Sequence, residues 1–138
     1  MSMSIERCVV NERDVQEQEL PGRMLRWVIT PDTNGPSQCA SCVIRVMPGQ
    51  CVRPAHEHPA SEELLYIVSG NGEVLIDGES AIVSEGTEVF FPTGSVHMLR
   101  NTGQDEMKVV CFYAPPTTLA EYVFHTEADF PANKEDTV

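Results

Sequence analysis

Turn-forming residues interrupt the middle of this chain so often that no helix of ordinary length fits there. Pro48-Gly49, Ser69-Gly70-Asn71-Gly72, Asp77-Gly78, Gly86 and Pro92-Thr93-Gly94 punctuate residues 48–103, and no helical period survives between them. The intervening runs are short and β-prone: Glu63–Val68, Glu73–Ile76, Glu79–Val83, Thr87–Phe91 and Val96–Arg100. Met24–Thr30 and Ser41–Met47 before them, and Met107–Tyr113 after them, read the same way. Asp77-Gly78 is the strongest hairpin signal, because both residues tolerate a positive φ between two β-prone runs. Closely spaced strands of this kind build an antiparallel sandwich or barrel.

The ends of the chain differ in character. Residues 1–20 are polar and acidic, and Leu20-Pro21-Gly22 marks a turn into the first strand. Pro31–Pro36 is a loop by composition, and Pro115-Pro116 ends the sheet region. Thr118-Leu-Ala-Glu121 has the spacing of a capping box and predicts a short helix through about His125. The tail 131–138 is polar and is expected to fray. No repeat or domain boundary is visible, so 1–138 is read as one domain. Its barrel core runs over about 24–114, with an N-terminal arm at 1–20 and a C-terminal segment at 115–138.

Charge narrows the partners. Nine Lys and Arg stand against 21 Asp and Glu, a formal charge of −12. A nucleic-acid binder needs a basic footprint, and docking on anionic lipid needs the same. Neither is expected here. The apolar runs are too short for a membrane-spanning helix. The start, Met1-Ser-Met-Ser-Ile-Glu-Arg7, has no signal-peptide core, so a cytoplasmic location is the default expectation. The five cysteines are an odd number, which fits reduced thiols. Cys39-Ala-Ser-Cys42 has CxxC spacing but no second pair to complete a zinc site, and it leads into a strand rather than a helix N-terminus. These two are expected to be small buried or half-buried thiols.

Three of the four histidines fall inside the β region: His56, His58 and His97. In an extended chain, residues i and i+2 project from one face, so His56-Glu57-His58 presents two imidazoles together and turns Glu57 away. Pro54 and Pro59 bracket the pair and exclude helix. Glu62-Glu63 follow, and His97 arrives on a different strand. Three imidazoles and one carboxylate suit a borderline divalent ion such as Mn, Fe, Co, Ni or Zn.

These stretches resemble the paired motifs of the cupin superfamily. The first motif is carried by Gly49, His56, His58, Glu63 and Gly70, with the departure that six residues rather than five separate Gly49 from His56. The second is carried by Gly86, Pro92, Gly94, His97 and Asn101 at every position. The two motifs are separated by 15 residues and together cover 49–101. The resemblance implies an all-β fold, a double-stranded β-helix or jelly-roll barrel. It implies one divalent transition metal ion inside the barrel held by His56, His58, Glu63 and His97, and frequently a homodimer. Cupins similar at this level include dioxygenases, decarboxylases, sugar isomerases and epimerases, and lyases.

The remaining candidates concern the substrate. Arg45, Arg53 and Arg100 lie on the motif strands or their approaches and have the fork geometry for a carboxylate. Tyr66, Phe91 and Phe112 are candidates for the barrel wall and for stacking on a substrate. His125 lies outside both motifs and is expected at the surface or in packing. The favoured reading is a metal-dependent enzyme acting on a small oxygen-rich metabolite, by dioxygenase- or decarboxylase-like chemistry. A sugar isomerase, an epimerase or a lyase is the alternative, and a non-catalytic binding module is the reading from another class.

Overall fold

The computed structural model describes residues 4–131. The tail expected to fray lies outside them apart from Pro131. Eleven strands form among the described residues, in chain order β1 (Gln18–Leu20), β2 (Arg23–Ile29), β3 (Ala40–Val46), β4 (Ala55–Glu57), β5 (Glu62–Ser69), β6 (Asn71–Ile76), β7 (Glu79–Ser84), β8 (Glu88–Phe91), β9 (His97–Asn101), β10 (Met107–Ala114) and β11 (Val123–His125). They make a six-stranded sheet, β1-β2-β3-β10-β5-β8, packed on a five-stranded sheet, β11-β4-β9-β6-β7. Every pairing is antiparallel. This is a jelly-roll β-barrel.

Period-two alternation determines what faces the interior. On β5, Glu63, Leu65 and Ile67 are buried while Glu62, Leu64 and Tyr66 are exposed. On β10, Met107, Val109, Cys111 and Tyr113 point inward. They join Leu25 and Val46 in one core cluster between the sheets. Burying a side chain of this size contributes about 1.5–3 kcal/mol each.

The β6–β7 hairpin forms as its turn residues dictate. Ile76 pairs Glu79 across a two-residue loop, with Asp77 at φ 48° and Gly78 at φ 87°. Between Gly49 and His56, Cys51 makes an isolated antiparallel bridge to Arg100. Asn101 is buried and clasps the adjoining turn. Its Nδ2 donates to the carbonyls of Val46 (2.9 Å) and Asp105 (2.8 Å), and its Oδ1 accepts from the Gly103 N–H (2.9 Å).

The C-terminal segment departs from the helix predicted through His125. Leu119–Glu121 forms a single 3-10 turn, and β11 follows it. The Thr118 side chain makes no capping bond, whereas Thr117 Oγ1 bonds Glu121 Oε2 at 3.1 Å. Without a cap, a turn this short does not propagate, and Val123–His125 pairs with Ala55–Glu57 of β4 instead. The thiols also divide. Cys42 is buried on β3 while Cys39, expected to be at least half-buried, is exposed. No described helix is long and apolar enough to cross a membrane.

Candidate metal centre

β4 and β9 bring two of the histidines together. His56 and His97 are direct cross-strand partners, and their ring centroids lie 4.6 Å apart. His58 stands two residues beyond His56 on the same face, with its ring 5.1 Å from each of the others. One nitrogen from each imidazole lies within 4.8 Å of the others. The opposite sheet supplies Glu63 from β5. Its Oε1 lies 3.0 Å from His58 Nε2 and 3.2 Å from His97 Nε2. All four side chains are buried, none more than 6% exposed.

Backbone carbonyls two residues upstream orient two of the rings. His56 Nδ1 bonds the Pro54 carbonyl at 3.1 Å, and His97 Nδ1 bonds the Ser95 carbonyl at 2.9 Å. A carbonyl only accepts, so each Nδ1 is the donor, and in the neutral ring this leaves the lone pair on Nε2. Metal-ligating histidines are held in this way. His58 Nδ1 and His97 Nε2 are buried with no hydrogen-bond partner, since the approach of Glu63 to His97 is off hydrogen-bond geometry. A buried polar atom left unpaired costs about 1–3 kcal/mol. Inward lone pairs, an orphaned ring nitrogen and one carboxylate fit a divalent transition ion.

Electrostatics keep the set ready for a cation. Burial pushes the His56 pKa down to about 3, the neighbouring His97 pushes the same way, and the Pro54 carbonyl only partly opposes them. His56 is therefore neutral at pH 7. Burial alone would raise the Glu63 pKa. The hydrogen bond from His58 and the close approach of His97 outweigh it and hold the carboxyl below its ordinary range.

Aromatic rings enclose the cluster. Phe91 stacks on His97 at 4.1 Å and 20°, and Tyr122 stacks on His56 at 4.8 Å and 14°. Tyr122 also meets His58 edge-on at 4.4 Å, and its hydroxyl lies 3.5 Å from that of Tyr113. Burial raises the pKa of both phenols, so both stay protonated. Phe91, Tyr113 and Tyr122, with Arg23, Val52 and Leu99, line a cavity of about 20 Å³ beside the cluster.

Of the substrate candidates, only Phe91 lines this cavity. Tyr66 and Phe112 are 41% and 48% exposed, because they alternate with residues that point inward. Arg45 lies on the outer face, paired with Glu17 at 2.6 Å and Glu106 at 2.7 Å. The Arg53 side chain is exposed, and Arg100 pairs with Glu73 at 2.8 Å and lies over the Phe130 ring. His125 lies 3.8 Å from Glu57 and 3.3 Å from Glu127 near the surface. Three polar cavity residues escaped the sequence reading, Arg23, Tyr113 and Tyr122. For Arg23 a signal exists, since it is in phase with Leu25 on β2. Tyr122 reaches the cavity through the unforeseen strand β11.

The comparisons with known proteins fit this geometry. A family model described as the cupin domain matches residues 42–113. Polyketide synthase CurC of Streptomyces cyaneus is 30% identical over 128 residues, 93% of this chain and 82% of that protein. Among solved structures, a predicted oxalate decarboxylase from Thermotoga maritima superposes with a TM-score of 0.70 at 18% identity, over 78% of this chain and 98% of its own. The polyketide cyclase RemF from Streptomyces resistomycificus superposes with a TM-score of 0.66 at 20% identity, over 77% and 78%. With both motifs in place, the barrel closed around them and the family model matched across the strands that carry them, the chain belongs to the cupin family.

Proposed function

We propose that this protein is a metal-dependent enzyme acting on a small oxygen-rich metabolite, specifically an enolisable 1,3-dicarbonyl compound of the polyketide type. The observation that carries the reading is the convergence of the buried His56, His58 and His97 with Glu63 at a small cavity. The likeness to CurC over most of both chains supports the choice of substrate class.

A divalent ion held by His56, His58, Glu63 and His97 would supply Lewis-acid polarisation of a substrate oxygen. The protein's own groups do the rest. The His56 and His97 rings are locked by Pro54 and Ser95, so little ordering is lost when the donor set is used. The Tyr122 phenol remains protonated and can donate a hydrogen bond to an oxygen in the cavity, but cannot serve as a base at pH 7. Phe91, Val52 and Leu99 exclude water, which strengthens every polar contact inside. Ring closure and decarboxylation both begin by developing negative charge on such an oxygen, so this environment favours either.

The test is an anaerobic assay of natively purified protein with 3,5-dioxohexanoate, acetoacetate and hexose phosphates. Metal-dependent consumption of a dicarbonyl acid without dioxygen is expected. Turnover of sugar phosphates alone, or a strict requirement for dioxygen, would contradict the reading.

A further inference from the structure

Among the described residues, Arg23 is a buried cation without a counter-ion. It is 7% exposed at the start of β2. Arg26, Arg45 and Arg100 each hold a glutamate, but Arg23 holds no carboxylate among the described residues. Its Nη1 donates to two backbone carbonyls, Pro21 at 3.1 Å and Arg53 at 3.3 Å. Its Nε is buried with no partner. Gly22 permits this arrangement: at φ +77°, a Cβ there would lie 1.6 Å from the Cys51 carbonyl oxygen. The close approach presses the base of Arg23 against the segment leading to His56.

Arg23 also lines the cavity that His56, Glu63 and His97 share. The one carboxylate of that cavity is committed to His58 and His97. Removing a guanidinium from water without a matching anion is expensive, and carbonyl dipoles offset only part of the cost. With a divalent ion on the donor set, the cavity would carry a net positive charge. It would do so inside a protein whose overall formal charge is −12. That combination favours an anionic ligand over a neutral one of the same shape.

We propose that Arg23 is the anion anchor of the cavity and selects ligands bearing a carboxylate or ionised enol oxygen over neutral analogues. The inference rests on the cavity being the reaction site. In its present form the cavity holds one water-sized species. A larger acid enters by displacing a wall residue, and Tyr122 is the wall residue next to the three-residue strand β11.

The experiment compares acetoacetate with acetoacetamide, its neutral isostere, by calorimetric titration of zinc-loaded protein. Wild type is expected to bind the acid at least about tenfold more tightly. Arg23→Met and Arg23→Gln are expected to bind the two equally, with zinc content unchanged. Arg23→Lys is expected to recover part of the preference. The Gln variant keeps a donor for the two carbonyls, so it remains informative if the Met variant does not fold. A preference retained in Arg23→Gln, or absent from wild type, would overturn the proposal. If wild type takes up no zinc, the metal reading fails, while the same titration on metal-free protein still decides whether Arg23 sets the preference.

Discussion

Glu63→Gln isolates the charge at the centre of the site from its shape. Glu63 is 3% exposed, and its Oε1 lies 3.0 Å from His58 and 3.2 Å from His97. Gln has nearly the same volume, so no cavity opens and the barrel should fold. Hydrogen bonds to charged groups contribute about 1.5–3 kcal/mol, and the amide retains part of this, leaving a cost of about 1–2 kcal/mol to the metal-free protein. For a chain of this size that lowers Tm by roughly 3–8 °C. The loss at the metal is larger. Uncoupling one charge from a buried, mutually compensating set costs about 3 kcal/mol or more, equivalent to at least about a hundredfold in Kd. Thermal melts with and without chelator, and competition against a chromophoric chelator, read the two effects separately. The expected result is a small drop in Tm and a large drop in metal affinity. Wild-type metal affinity with a lowered Tm would refute the assignment of Glu63 to the donor set and leave it a purely structural carboxylate.

Two further perturbations probe the frame and the cover. Asn101→Ala removes three hydrogen bonds, one fully buried and two part-buried, so a loss of about 2–4 kcal/mol is expected in urea unfolding, with m unchanged. Tyr122→Ala uncovers the faces of His56 and His58; EDTA should strip bound metal at least about tenfold faster than from wild type, whereas Tyr122→Phe, which keeps the stack, should strip at the wild-type rate.

The site and the fold were legible in the sequence to different depths. The Asp77-Gly78 hairpin and the strands around the two motifs follow from local turn chemistry and period-two patterning, which need no tertiary information. The cluster of His56, His58 and His97 was legible because its spacing is characteristic. β1 and β11 were not, because three-residue strands owe their conformation to the neighbour they pair with rather than to their own residues. The short C-terminal helix failed for the same reason: pairing with β4 overrode a weak capping signal. The outward placement of Tyr66 and Phe112 does follow from parity once Glu63 is turned inward, since Glu63 pairs Tyr113 and alternation sends their odd-spaced neighbours out. Arg23 could be judged only with the barrel closed, because the absence of a carboxylate partner among the described residues is a matter of tertiary placement.

The most direct measurement is the metal content of protein purified without added metal or chelator, taken together with anomalous diffraction at the absorption edge of the ion found. About one divalent transition ion per chain is expected, with a single anomalous peak between the rings of His56, His58 and His97, and with the content lost in His97→Ala. A wild-type protein that remains metal-free after incubation with Mn, Fe, Co, Ni and Zn, or an ion bound equally well by His97→Ala, would contradict it.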